Sequence, residues 1–168
     1  MRKLFLFFLL QTVFFSAILT PSISLAQPLP SILEKTKGLS RIDGYFPFYK
    51  DDQNGKIWLE LNKLDTEILY AMSLPSGLGS NDIGLDRGLM GGGRIVKFSR
   101  IGKKILMVEP NYGYRALSAL AKEKEAVDLA FAKSTLWAFV VEAASSDAVL
   151  VDATAFLTRD AMQAANRI

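Results

Sequence analysis

Three short turns, each set between two apolar runs, constrain the fold of this chain more than any other feature. Asp51-Asp52-Gln53-Asn54-Gly55 interrupts the stretch GYFPFYKDDQNGKIWLEL at 44–61. Asn-Gly tolerates positive φ at both positions and so favours a tight hairpin. Ile101-Gly102-Lys103 separates 94–100 from 104–109, and Pro110 ends the second run because proline has no donor for a ladder bond. Ser145-Ser146-Asp147 separates 136–144 from 148–151. Within 56–61 the alternation puts Ile57, Leu59 and Leu61 on one face and Lys56, Trp58 and Glu60 on the other. The run at 68–74 is more continuously apolar and predicts a strand covered on both faces.

Between the second and third hairpins the period changes. Over 119–132, Val127, Ala130 and Phe131 fall at i, i+3 and i+4, which predicts a helix with those residues inward. Lys122 to Glu125 form its solvated start, and Lys124 and Asp128 are spaced for an exposed pair. Asp152 or Thr154 can cap a second helix through Phe156 and Leu157. Consecutive hairpins without a βαβ rhythm predict an α+β domain: an antiparallel sheet with one or two packed helices. The last residues, Ala164 to Ile168, lack a C-cap glycine, a proline or a polar tail. The sheet domain is therefore expected to be incomplete at that end.

The chain has 168 residues, enough for one ordinary domain. Residues 1–26 stand apart as a signal peptide: Arg2 and Lys3, an apolar run from Leu4 to Leu19, Pro21, and a cleavage site after Ser24-Leu25-Ala26. A run of that length is short for a membrane span. The expected localisation is export, to the periplasm, the outer surface or the medium, with no stable span after cleavage. Residues 27–38 read as a linker with one short helical turn over 31–37, and 39–168 as the domain. Lys and Arg number 20 against 17 Asp and Glu; losing Arg2 and Lys3 leaves 18 against 17. Such a balance gives no electrostatic case for nucleic acid as a partner.

Two absences limit the chemistry further. The chain contains neither cysteine nor histidine. Disulfide staples and thiolate zinc sites are excluded, as are Ser-His-Asp and Cys-His catalysis. No cofactor or metal is expected in this chain. Glu60, Glu109 and Glu142 remain as acid–base candidates, but no spacing brings any two together. Trp58, Trp137, Tyr112 and Tyr114 could form a stacking platform; aromatics of this kind are more often core or cross-strand pairs.

Residues 77–93, GLGSNDIGLDRGLMGGG, hold seven of the twelve glycines. The stretch fails the phosphate-loop and dinucleotide templates, since Leu85 and Asp86 stand where Lys and Ser/Thr should, and Asp82 where a glycine should. Asn81, Asp82 and Asp86 offer oxygens for calcium but lack the EF-hand spacing and a closing glutamate. A loop this long is usually functional or disordered.

Four collinear stretches carry a family resemblance: FPFYKDDQNGKIWLEL at 46–61, ILYAMSLPSGLGSNDIGLDRG at 68–88, RIVKFSRIGKKILMVEPNYGYRA at 94–116 and STLWAFVVEAASSDAVLVDATAFLTRD at 134–160. Together they resemble the poorly characterised N-terminal domain of large bacterial secreted zinc-dependent metalloproteases. In that family a His-Glu-x-x-His helix downstream holds the zinc and supplies the general base. The resemblance therefore implies an export signal plus a non-catalytic front domain that supports or shields a peptidase domain in cis. Zinc is expected only in that absent domain, and the chain reads as a fragment or the product of a truncated or split gene. A stand-alone exported binding or structural module is the alternative, and a carboxylate-dependent hydrolase a more distant one. The expected interface is the glycine loop. Asn81, Asp82, Asp86 and Arg87 alternate there with Ile83, Leu85 and Leu89, a mixture suited to docking on the peptidase domain and walling its cleft.

Overall fold

The computed structural model describes residues 28–77, 81–114 and 116–167. The expected signal peptide at 1–26 and Gln27 lie outside the described residues, as do residues 78–80 of the glycine loop.

Eight strands form one antiparallel sheet in the order β1-β2-β3-β8-β7-β6-β5-β4. They are β1 (Ser40–Ile42), β2 (Phe48–Asp51), β3 (Lys56–Leu61), β4 (Ile68–Tyr70), β5 (Arg94–Ile101), β6 (Lys104–Glu109), β7 (Ser134–Ala144) and β8 (Val149–Asp152). The three turns make the β2–β3, β5–β6 and β7–β8 hairpins, with Gly55 and Gly102 at φ 64° and 58°. After β3 the chain crosses to the far edge, and β4 to β8 then return strand by strand until β8 pairs with β3. The domain is α+β, and its sheet is open.

The sheet is strongly curled. Four strand steps separate β3 from β5, about 19 Å in a flat sheet. Yet the Asp65 amide, just beyond β3, donates to the Phe98 carbonyl of β5 at 2.8 Å. Phe46, just before β2, meets Phe98 edge-on with ring centroids 5.6 Å apart. The inner face closes on a core of Leu61, Val96, Phe98, Ile105, Met107, Phe139, Val141, Val149 and Val151. Helix α3 (Thr154–Thr158) brings Phe156 against it, within ring contact of Tyr70, Trp137 and Phe139. Asp152 positions this helix, accepting from the Thr154 amide at 3.0 Å and its hydroxyl at 2.6 Å.

The outer face carries a smaller core of Ile32, Tyr49, Trp58, Ala143, Ala148 and Leu150. A β-bulge makes this split within β7. Val141 pairs with Val151 but Ala143 pairs with Leu150, so Glu142 is the extra residue and the side-chain parity reverses. Helix α1 (Ile32–Lys35) covers this outer core, with the Ser31 hydroxyl accepting from the Glu34 amide as N-cap. One helical turn was expected there, and one is present.

Two expectations need correction. The run at 68–74 is a short edge strand, not one covered on both faces: β4 ends at Tyr70, and Leu69 is 72% exposed. Its inner face packs on the core, but α1 reaches only the opposite half of the outer face. The helix over 119–132 exists as α2 (Ala121–Ala130), yet none of its residues is buried. Val127 and Phe131 are half-buried and Ala130 is exposed. Phe131 instead stacks on Tyr114, centroids 3.8 Å apart. Helical periodicity gave the element correctly, but its apolar residues meet the β6–α2 connection and not the sheet.

Candidate functional site

The glycine loop runs from β4 to β5, and its base is tied to its own domain. Leu74 N donates to Leu89 O at 2.9 Å, Gly88 N to Leu74 O at 2.8 Å, and Gly91 N to Met72 O at 2.8 Å. Ser73 and Met90 form an isolated bridge, so β4 and β5 continue loosely into the loop. Gly84 and Gly88 take φ 65° and 83°, a left-handed conformation that L side chains rarely adopt. Gly77 serves a different purpose. A Cβ there would lie 2.5 Å from Arg87 N and 2.9 Å from Leu85 O, so the returning loop passes directly over it. The C-terminal segment holds the loop from the side. Arg167 Nη1 donates to Gly84 O at 2.9 Å, and a Cβ on Gly91 would be 3.5 Å from the Met162 sulfur. Asp160 fixes that segment by accepting from the amides of Ala164 and Ala165.

The proposed interface residues divide by exposure. Asn81 to Ile83 form a single 3₁₀ turn; Asp82, Ile83, Asp86 and Arg87 are exposed and Leu89 half-buried. Leu85 is 1% exposed. It anchors the loop in its own domain, and a surface anchor it is not: alternation alone could not tell an inward apolar side chain from an outward one.

The loop leads into a bare stretch of sheet. Met90 is 68% exposed, and Leu69 and Ile95, direct cross-strand neighbours, are also exposed. Further along the same face, Leu106 pairs with Ala138 and Lys104 with Val140, and Val140 and Ile101 stand in solvent. On the inner side of the loop's base, Arg159 spreads its guanidinium 3.8 Å from the Phe156 ring centroid and 5.3 Å from that of Trp137. It also donates to the Tyr70 hydroxyl at 2.7 Å. Sequence reasoning missed this residue, because its partners come from three separate segments.

The carboxylates do not assemble into a reacting pair. Glu60 accepts from the Tyr49 hydroxyl at 2.7 Å, with Arg41 at 3.9 Å; Glu109 pairs with Arg94 at 2.9 Å; Glu142 pairs with Lys35 at 3.3 Å. Each is committed to its own cation. Burial, reinforced by the Glu60 carboxylate, pushes the Tyr49 phenol above its ordinary value. Among the described residues, no three Asp or Glu side chains group as a metal would need. Trp58 and Trp137 belong to the core regions, as expected of strand aromatics. Tyr112 and Tyr114 do not: they lie beyond β6 and are exposed. Tyr112 instead engages Glu67, which also pairs with Lys97. Among the described residues, no helix is long and apolar enough to cross a membrane.

Comparison with known proteins gives one family and no relative. No curated protein and no solved structure matches the chain. The family described as "Domain of unknown function (DUF5117)" matches residues 88–168, which span the end of the glycine loop, β5 to β8, and helices α2 and α3. The match thus covers nearly half of the chain, from Gly88 to its last residue.

Proposed function

We propose that this chain is the non-catalytic front domain of an exported zinc-dependent metalloprotease, docking on the peptidase domain through the glycine loop and the adjoining bare sheet face. The observation that carries the reading is the exposed pair Leu69 and Ile95 beside Met90, at the foot of a loop that presents Asp82, Ile83, Asp86 and Arg87. Apolar anchors rimmed by polar groups are the anatomy of a docking interface. The four collinear stretches supply the identity of the partner. The chain has neither histidine nor cysteine, so a zinc site of the His-Glu-x-x-His kind would have to come from another domain.

The reading is tested on DNA and on protein. Sequence following codon 168 in frame should encode a His-Glu-x-x-His helix; a genome in which the gene ends there with no such frame nearby would contradict it. The purified chain should retain no stoichiometric zinc after dialysis and should not cleave casein. Chelator-sensitive proteolysis by the chain alone would overturn the assignment.

A further inference from the structure

At the opposite end of the outer face, α1, the start of β1 and the β2–β3 turn enclose an open cleft of about 950 Å³. Trp58 lines it, 5% exposed, and its indole Nε1 is buried without a hydrogen-bond partner. Few buried donors in folded proteins lack a partner, so this one calls for an explanation. Two ammonium groups flank the same ring. Lys35 Nζ lies 4.9 Å and Lys56 Nζ 5.0 Å from its centroid, so the two are at most 9.9 Å apart, the sum of those distances. Each has one carboxylate, Glu142 at 3.3 Å and Asp152 at 3.1 Å. An ammonium has three donors, so both keep capacity for a further acceptor. Lys37 and Lys50 bring the cations of the lining to four, against Asp51 and Asp52. Of the two acids there, Asp51 is committed to its own turn, accepting from the Asn54 amide at 3.0 Å and side chain at 2.9 Å.

We infer that this cleft binds a small oxyanion-bearing ligand, its carboxylate or phosphate oxygens taking the spare donors of Lys35, Lys37 and Lys56 beside the Trp58 ring. A partly desolvated anion held by several lysine donors gains charge-assisted hydrogen bonds without requiring a helix terminus or a metal. The inference is independent of the docking surface, which lies at the other end of the sheet. It concerns the ligand class that a stand-alone binding module of this fold would take.

Fluorescence of the mature chain tests it, with Trp58→Phe used to assign the signal between the two tryptophans. Citrate is titrated as the carboxylate probe and pyrophosphate as the phosphate probe, each against sodium chloride at equal ionic strength. The expected result is a saturable change with at least one of them, absent in chloride and in Trp58→Phe; the more effective probe identifies the class. The exposed Lys37 side chain makes no hydrogen bond or ion pair among the described residues, and Lys37→Gln should weaken binding about tenfold, the equivalent of ~1.4 kcal/mol. Lys35→Gln with Lys56→Gln should abolish it while circular dichroism stays unchanged. A response equal to that of chloride, or one that Lys37→Gln leaves intact, would overturn the inference.

Discussion

Gly77→Ala isolates the feature that shapes the glycine loop. A Cβ at 77 would lie 2.5 Å from Arg87 N, 2.9 Å from Leu85 O and 3.0 Å from the Asp86 carbonyl carbon. All three are backbone atoms, so no side-chain rotation relieves the overlap. Ordinary contact begins near 3.5 Å, so the returning strand of the loop must retreat by roughly 1 Å. That displacement pulls against the bonds joining Gly88 and Leu89 to Leu74, and against the burial of Leu85. Overpacking of this kind costs about 1–3 kcal/mol, offset by about 0.4–1 kcal/mol because alanine restricts the unfolded chain. The net loss of about 1–2 kcal/mol should lower Tm by roughly 3–6 °C in a domain of this size. Gly92 is the internal control, since a Cβ there meets nothing within 4 Å. Thermal unfolding followed by circular dichroism should therefore show Gly77→Ala melting well below the wild type and Gly92→Ala at or slightly above it. Equal melting of the two variants would refute the folded-back loop.

Other perturbations probe separate parts of the account. Leu85→Ala should cost about 2–5 kcal/mol in urea unfolding because the side chain is fully enclosed, whereas Ile83→Ala should cost well under half of that. Burial works to raise the Asp152 pKa, but hydrogen bonds from Thr154 and Lys56 outweigh it and hold the carboxyl below its ordinary value. Its contribution is thus present above about pH 4 and is lost as pH falls below that, so Asp152→Asn should be less stable at neutral pH and show a shallower acid limb. The raised Tyr49 pKa works at the other extreme. That contribution is intact below about pH 10 and is lost as pH rises further, and Tyr49→Phe should abolish this alkaline dependence. Leu69→Lys should leave the isolated chain's unfolding free energy within about 0.5 kcal/mol of wild type, since the side chain stands in solvent.

The sheet was legible where the signal was local. Asn54-Gly55, Gly102 and Ser145-Ser146-Asp147 each marked a turn by their own conformational preferences, and the strands beside them follow. What local chemistry could not reveal is how the hairpins meet. The β3–β8 pairing and the curl that brings Phe46 onto Phe98 join residues far apart in sequence. The β7 bulge reverses parity through one residue, Glu142, that no alternation pattern singles out. Of the candidate site, glycine content located the loop and its polar residues. It did not show that Leu85 turns inward, because burial depends on Gly77 lying beneath the returning chain. The lysines around Trp58 were invisible for a similar reason: Lys35 and Lys37 come from α1 and its exit, Lys56 from a hairpin, and only the folded sheet gathers them.

The docking claim is tested most directly by hydrogen exchange on amides 81–90, compared between residues 27–168 alone and a full-length homologue that carries the peptidase domain. The amides of Gly88 and Leu89, bonded within the domain, should be protected in both. Those of Asp82, Ile83, Asp86 and Arg87 should exchange quickly in the isolated chain and slow by at least about tenfold, ~1.4 kcal/mol, when the peptidase domain covers them. Equal exchange at these four positions in both proteins would contradict the interface and leave the loop a structure of its own domain alone.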